Sequence, residues 1–281
     1  MLPCRTAASY SFLCMNVSVW DIIYKNIFKG EEMLLFVLSF IISLVPSLLV
    51  IFYILRRKKE DLGYQRSCKS AIGRGAIAVL PIIGLSAVFH IINALVKRFL
   101  LPDMHPLIFQ AVHTFIVLAF VEELVKFFCF KGVLKKKYNE YTWADVVAFM
   151  VLVGDMFGLV EDIPYAIGAS PMVMLIRGLT VGHIGYGFVM GWLYGKKLYT
   201  GKKKYGFLAF MIPFLLHGLY DFSLSSELLE INEDLAFIGI SLALVDIILF
   251  ISMLVFFRRS KKKEKYNVPL IKLPEPAETV Q

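Results

Sequence analysis

The most chemically loaded segment of the chain is FVEELVKFF, in which Glu122, Glu123 and Lys126 interrupt an otherwise apolar run. Glu122 and Lys126 stand four apart, on one face of a helix, so the lysine can neutralise one carboxylate. Glu123 projects about 100° away, at 3.6 residues per turn. Adjacent carboxylates then address two different neighbours, as a general base with a supporting group requires. An ion pair that only joins helices accounts for the same three residues.

Three further segments carry buried polarity. GDMFGLVEDIPYA sets Glu161 and Asp162 among the helix breakers Gly154, Gly158 and Pro164. That pattern predicts a broken or kinked helix, which a membrane tolerates only where protein or a water-filled cavity covers the freed backbone. RGLTVGHIGYGFVMGWLYG places His183, Gly187, Gly191 and Gly195 on one four-residue ridge, a doubled G-x-x-x-G that admits a close helix neighbour. Its Arg177 either reaches for the interface or pairs with Glu161 or Asp162. FLLHGLYDF sets His217 and Asp221 four apart, the spacing at which a carboxylate fixes an imidazole's tautomer and orientation. Two imidazoles and three or four acids on four successive helices form a constellation for activating water, with or without zinc. Asp246, alone in the last apolar run, reads as a helix contact, and His90, His105 and His113 as structural or interfacial.

The elements that must position these groups are membrane spans. The chain of 281 residues is 58% hydrophobic and 19% charged, with a mean hydropathy of +0.69, which excludes a water-soluble globule, disorder and a disulfide-stapled module. Its net charge of +8 raises nucleic acid as a partner, but 23 of the 30 Lys and Arg residues fall in clusters at 56–74, 131–137, 196–204 and from 258 onward. Each cluster borders a long apolar run, as cytoplasmic loops do, so the partner is a lipid bilayer and no nucleic acid is expected. Seven spans fit, at 33–55, 76–96, 107–130, 144–167, 172–195, 206–223 and 236–257. The expected fold is therefore all-α, a polytopic helical bundle with its N-terminus outside and its C-terminus inside. Residues 1–32 form an extracytoplasmic segment with a sequon at Asn16 and cysteines at 4 and 14, residues 33–257 the bundle, and 258–281 a basic, disordered cytoplasmic tail.

Depth raises a difficulty. With the third span ending at 130, Glu122 lies about 12 Å from its inner end at 1.5 Å per residue, whereas Glu161 and Asp221 lie near outer ends. Either the span ends are displaced, the fourth helix is broken at its glycines, or Glu161 and Asp221 belong to a second polar cluster.

EELVK, GLVEDIPYA, RGLTVGHIGYGFVMG and HGLYD, taken in order and spacing, resemble the PrsW family of intramembrane proteases, itself similar to the wider superfamily of CAAX prenyl proteases and bacteriocin-processing enzymes. The resemblance covers about 107–223. It implies hydrolysis of peptide bonds in a membrane-anchored protein substrate, such as an anti-sigma factor, by a multi-pass protein of a bacterial cell membrane. It implies catalytic roles for Glu122, Glu123, Glu161, His183, His217 and Asp221, with Lys126, Asp162 and Arg177 in support. Where the family commonly has Glu-Asn, this chain has Glu161-Asp162, whose extra charge either strengthens a metal site or pairs with Arg177. The catalytic type stays open between a metalloprotease, with His183 and His217 as zinc ligands, and a glutamate protease, with the histidines as oxyanion donors. No H-E-x-x-H helix is present. The rival readings are a proton- or ion-coupled transporter, which uses the same buried groups, and an inactive homologue that binds membrane proteins.

Overall fold

The computed structural model describes residues 30–136, 138, 140–168, 171–225, 228 and 236–271. The Asn16 sequon, Cys4 and Cys14, most of the acidic stretch at 225–235 and the last ten residues lie outside the described residues. Eight helices make up the described fold: α1 Gly30–Arg57, α2 Leu62–Leu95, α3 Pro106–Lys135, α4 Trp143–Gly168, α5 Pro171–Thr180, α6 Gly182–Thr200, α7 Lys204–Ser223 and α8 Ala236–Ser260. Within α3, His113–Ala119 widens into π-helical turns one residue before Phe120. Five helices, α1, α2, α3, α7 and α8, are long and apolar enough to cross a membrane by length and composition. The chain is an all-α, polytopic helical membrane protein.

The other two long helices form the interior. α4 packs on α1, α2, α3 and α6, and α6 packs on α4, α7 and α8. Residues 143–155 of α4 are buried without a gap. The start of α4 is fixed by a reciprocal cap, in which Thr142 N–H donates to Asp145 Oδ2 at 3.0 Å and Asp145 N–H donates to Thr142 Oγ1 at 3.3 Å. Lys58 Nζ adds a 2.7 Å ion pair to the same carboxylate. The basic clusters converge on this end: Arg57 Nη1 donates to Ala144 O at 3.2 Å, and the Trp143 ring meets Tyr199 and Tyr266 at 5.5 and 5.1 Å.

Two expectations are corrected. The fourth segment is one continuous helix through Gly154, Gly158 and Pro164, and the break falls in the fifth, where 172–195 divides into α5 and α6 at Val181. The α4 glycines are notches for a neighbour rather than breaks. A Cβ on Gly154 would lie 2.5 Å from His183 O, and one on Gly158 would lie 2.8 Å from His183 Cδ2. On the facing ridge, a Cβ on Gly187 would lie 3.0 Å from Met150 O and one on Gly191 2.9 Å from Val147 Cα. Val181, at φ 48°, holds a left-handed conformation that β-branched residues rarely adopt. This turn ends α5 and starts α6 against α4. The disorder expected for 258–281 is also overturned for its first half. Tyr266, Leu270 and Ile271 pack on the core, and Pro269–Ile271 pairs antiparallel with Tyr141–Thr142.

Candidate active site

The depth difficulty resolves through the first of its three alternatives. α3 runs five residues beyond the expected end, to Lys135, so Glu122 lies about 20 Å from its basic end at 1.5 Å per residue. On the same rise, His217 lies about 20 Å, Asp221 about 26 Å and Glu161 about 27 Å from the basic ends of α7 and α4. Side-chain length spans the remainder, and the acids and histidines of α3, α4, α6 and α7 meet in one network.

Lys126 is its hub. Its ammonium lies 2.5 Å from Glu123 Oε1, 3.7 Å from Glu122 Oε2 and 3.2 Å from His183 Nδ1, and rests 4.5 Å from the centre of the Phe157 ring. The lysine therefore engages Glu123 more closely than Glu122, although Glu122 has the i,i+4 spacing. Nor do the two carboxylates address different neighbours. His217 Nδ1–H donates to Glu123 Oε1 at 3.0 Å, while His217 Nε2 faces Glu122 Oε2 at 3.8 Å and Asp221 Oδ2 at 3.2 Å. The rotation of Glu123 about α3 is closed by α7, which carries His217 across to it.

The α4 acids complete the other side. His183 Nε2–H donates to Glu161 Oε2 at 2.6 Å, and Arg177 reaches both Glu161 Oε2 at 3.4 Å and Asp162 Oδ1 at 3.0 Å. Asp162 is thus the arginine's partner rather than part of the histidine cluster. The short helix α5 has the task of bringing Arg177 back onto α4. The break at Val181 sets His183 near the first turn of α6, in the notch left by Gly154 and Gly158.

Three of these side chains could hold a metal ion. Glu122, His183 and His217 each offer one ligand atom, and these atoms lie within 4.8 Å of one another. Glu122 Oε2 is buried and accepts no hydrogen bond among the described residues. Glu161 and Glu123 each take an N–H from one imidazole, the arrangement that orients metal-binding histidines. His183 Nδ1 and His217 Nε2 are the ring atoms those pairs leave over, and each has a further neighbour: the Lys126 ammonium donates to the former, and Asp221 Oδ2 lies 3.2 Å from the latter. Carboxylate and imidazole donors of this kind suit zinc and its neighbours.

Aromatic groups missed in the sequence line the same centre. The Tyr186 ring stacks on His217 with centroids 5.3 Å apart and planes 24° apart, and Phe157 meets His183 edge-on at 5.0 Å. Helical spacing was the available signal: Tyr186 stands three residues after His183, and Phe157 four before Glu161.

Comparison with known proteins matches residues 70–257 to the family described as PrsW family intramembrane metalloprotease. Three relatives called Protease PrsW are similar. That of Oceanobacillus iheyensis is 30% identical over 53% of this chain and 66% of its own length, just under two thirds. That of Clostridioides difficile is 26% identical over 67% of this chain and 79% of its own length. That of Shouchella clausii is 31% identical over 54% and 67%. No solved structure matches the chain.

Proposed function

The chain belongs to the PrsW family of intramembrane metalloproteases, and from that premise we propose that it hydrolyses peptide bonds in membrane-anchored protein substrates of a bacterial cell membrane. The observation that carries the proposal is the unbonded Glu122 Oε2, buried between two imidazoles that are themselves held by other carboxylates. A buried carboxylate oxygen that accepts no hydrogen bond is costly unless it has a task. Accepting a proton from water is the task that fits.

In this reading Glu122 is the general base. Glu123 is occupied by Lys126 and His217, so it orients His217 and takes no proton. Asp221 faces the other nitrogen of that ring and shares the positioning. Glu161 holds His183, and Arg177 holds Glu161 and Asp162 in place. Lys126 balances the two α3 carboxylates, and its contact with His183 Nδ1 ties the two halves of the network together. His183 and His217 would hold the family's metal beside the Glu122 carboxylate, and when bound it would supply Lewis-acid polarisation of a carbonyl and an acidified water. Phe157, Tyr186 and the α4–α6 contact shield the network, which strengthens every charge interaction within it.

The test uses the purified full chain with a membrane-anchored reporter library, alongside metal analysis. Glu122→Gln abolishing cleavage, and His217→Ala abolishing cleavage together with bound zinc, supports the metalloprotease. Cleavage that survives exhaustive chelation but not Glu122→Gln supports a glutamate protease in its place. Wild-type protein that cleaves no reporter refutes the proposal.

A further inference from the structure

Asp246, set aside in the sequence as a helix contact, is tied to the network from the far side. It is 2% exposed on α8, and the Tyr186 hydroxyl donates to its Oδ2 at 3.2 Å. The Tyr186 ring in turn lies flat on His217, with centroids 5.3 Å and planes 24° apart. Gly182 makes room for this: a Cβ there would lie 3.1 Å from Asp246 Oδ2 and 3.5 Å from the Tyr186 ring. The left-handed turn at Val181 brings Gly182 and Tyr186 round to α8.

We propose that Asp246 and Tyr186 are positioning residues for His217, Asp246 acting through the Tyr186 hydroxyl and Tyr186 through its ring stacked on the imidazole. The proposal rests on the protease reading above. Glu123 and Asp221 grip His217 at its two nitrogens and define a line through the ring. Rotation about that line is left to the contacts on the ring's faces and edges. His183 meets it edge-on at 5.3 Å, and Tyr186 stacks on it. The hydroxyl lies on the axis of a tyrosine's ring torsion, so an anchor there fixes the direction of that axis and keeps the ring over the imidazole. Asp246 is that anchor, and it connects the last helix to the centre.

The experiment compares full-length Tyr186→Phe, Asp246→Ala, Asp246→Asn and the Tyr186→Phe/Asp246→Ala double variant in reporter cleavage and thermal unfolding. Tyr186→Phe keeps the ring and removes only the anchor. We expect it and Asp246→Ala each to lower kcat about tenfold, equivalent to about 1.4 kcal/mol in the barrier, with KM within about twofold. Asp246→Asn, whose amide oxygen accepts the same bond, recovers kcat to within about threefold of wild type, and the double variant is no worse than Asp246→Ala. Tyr186→Phe with unchanged kcat, or additive losses in the double variant, overturns the proposal. A wild type that cleaves nothing removes the protease reading instead. The physical link is then judged from Tm, where Tyr186→Leu must cost less in a His217→Ala background than in wild type. Additive Tm changes at those two positions overturn the link itself.

Discussion

Replacing Lys126 by methionine keeps the length of a side chain that is 1% exposed while removing the charge that binds the network together. Glu123, also 1% exposed, then loses its 2.5 Å partner, Glu122 a nearby ammonium and His183 a donor. Breaking a buried pair from one side costs about 3–5 kcal/mol, because the remaining charge is left in a poor solvent. At roughly 2–4 °C per kcal/mol for a chain of this order of size, the expected fall in Tm is roughly 6–20 °C. The same reasoning requires compensation. Adding Glu123→Gln removes the stranded charge while leaving an amide oxygen to accept from His217 Nδ1, so the double variant regains at least half of the lost Tm. The assay is thermal unfolding in detergent or nanodiscs followed by tryptophan fluorescence. A Lys126→Met protein within 2 °C of wild type, or a double variant below it, refutes the buried ion-pair account.

The remaining predictions follow from single contacts. Glu122→Gln leaves Tm within about 2 °C, since Oε2 makes no hydrogen bond, while kcat drops by about 10²–10⁴, the range for a lost general base. Gly191→Ala places a Cβ 2.9 Å from the Val147 backbone and lowers both Tm and cleavage by forcing α4 and α6 apart, whereas Gly73→Ala and Gly84→Ala, with nothing within 4 Å, leave Tm unchanged or raise it. Arg177→Met strands Glu161 and Asp162 and lowers cleavage, and adding Asp162→Asn restores part of the Tm by removing the charge that His183 does not use.

The membrane architecture and the members of the polar network were legible in the sequence for a common reason. Apolar runs of span length, basic clusters at their ends, and ionisable residues too costly to leave unpartnered all register in one dimension. The pairings were less so, because they depend on how each helix is rotated and how far it extends. Glu122 and Lys126 have the favoured spacing, yet the ammonium turns to Glu123, where His217 from α7 adds a second hydrogen-bonding partner to the same oxygen. Five extra residues of α3 were enough to move Glu122 from an isolated depth to the level of His217.

The misplaced break shows the same limit from the backbone side. Gly154, Gly158 and Pro164 have the composition of a helix break, and Val181 has the composition of a helix or strand interior. The structure inverts them because the contacts between α4 and α6 outweigh local preference. Closing the two helices around His183 requires small residues on α4, where the imidazole and its carbonyl fill the space a Cβ would take. It also requires α6 to begin where it does, and the turn that starts it falls on a valine at φ 48°. Strain in a left-handed β-branched residue, of order 1–3 kcal/mol, persists only when its surroundings dictate it. Those surroundings are the groups that turn sets in place: His183 against Glu161 and Lys126, and Tyr186 between His217 and Asp246. A backbone outlier two residues before a histidine is therefore a consequence of the polar network, and only a structure could have located it.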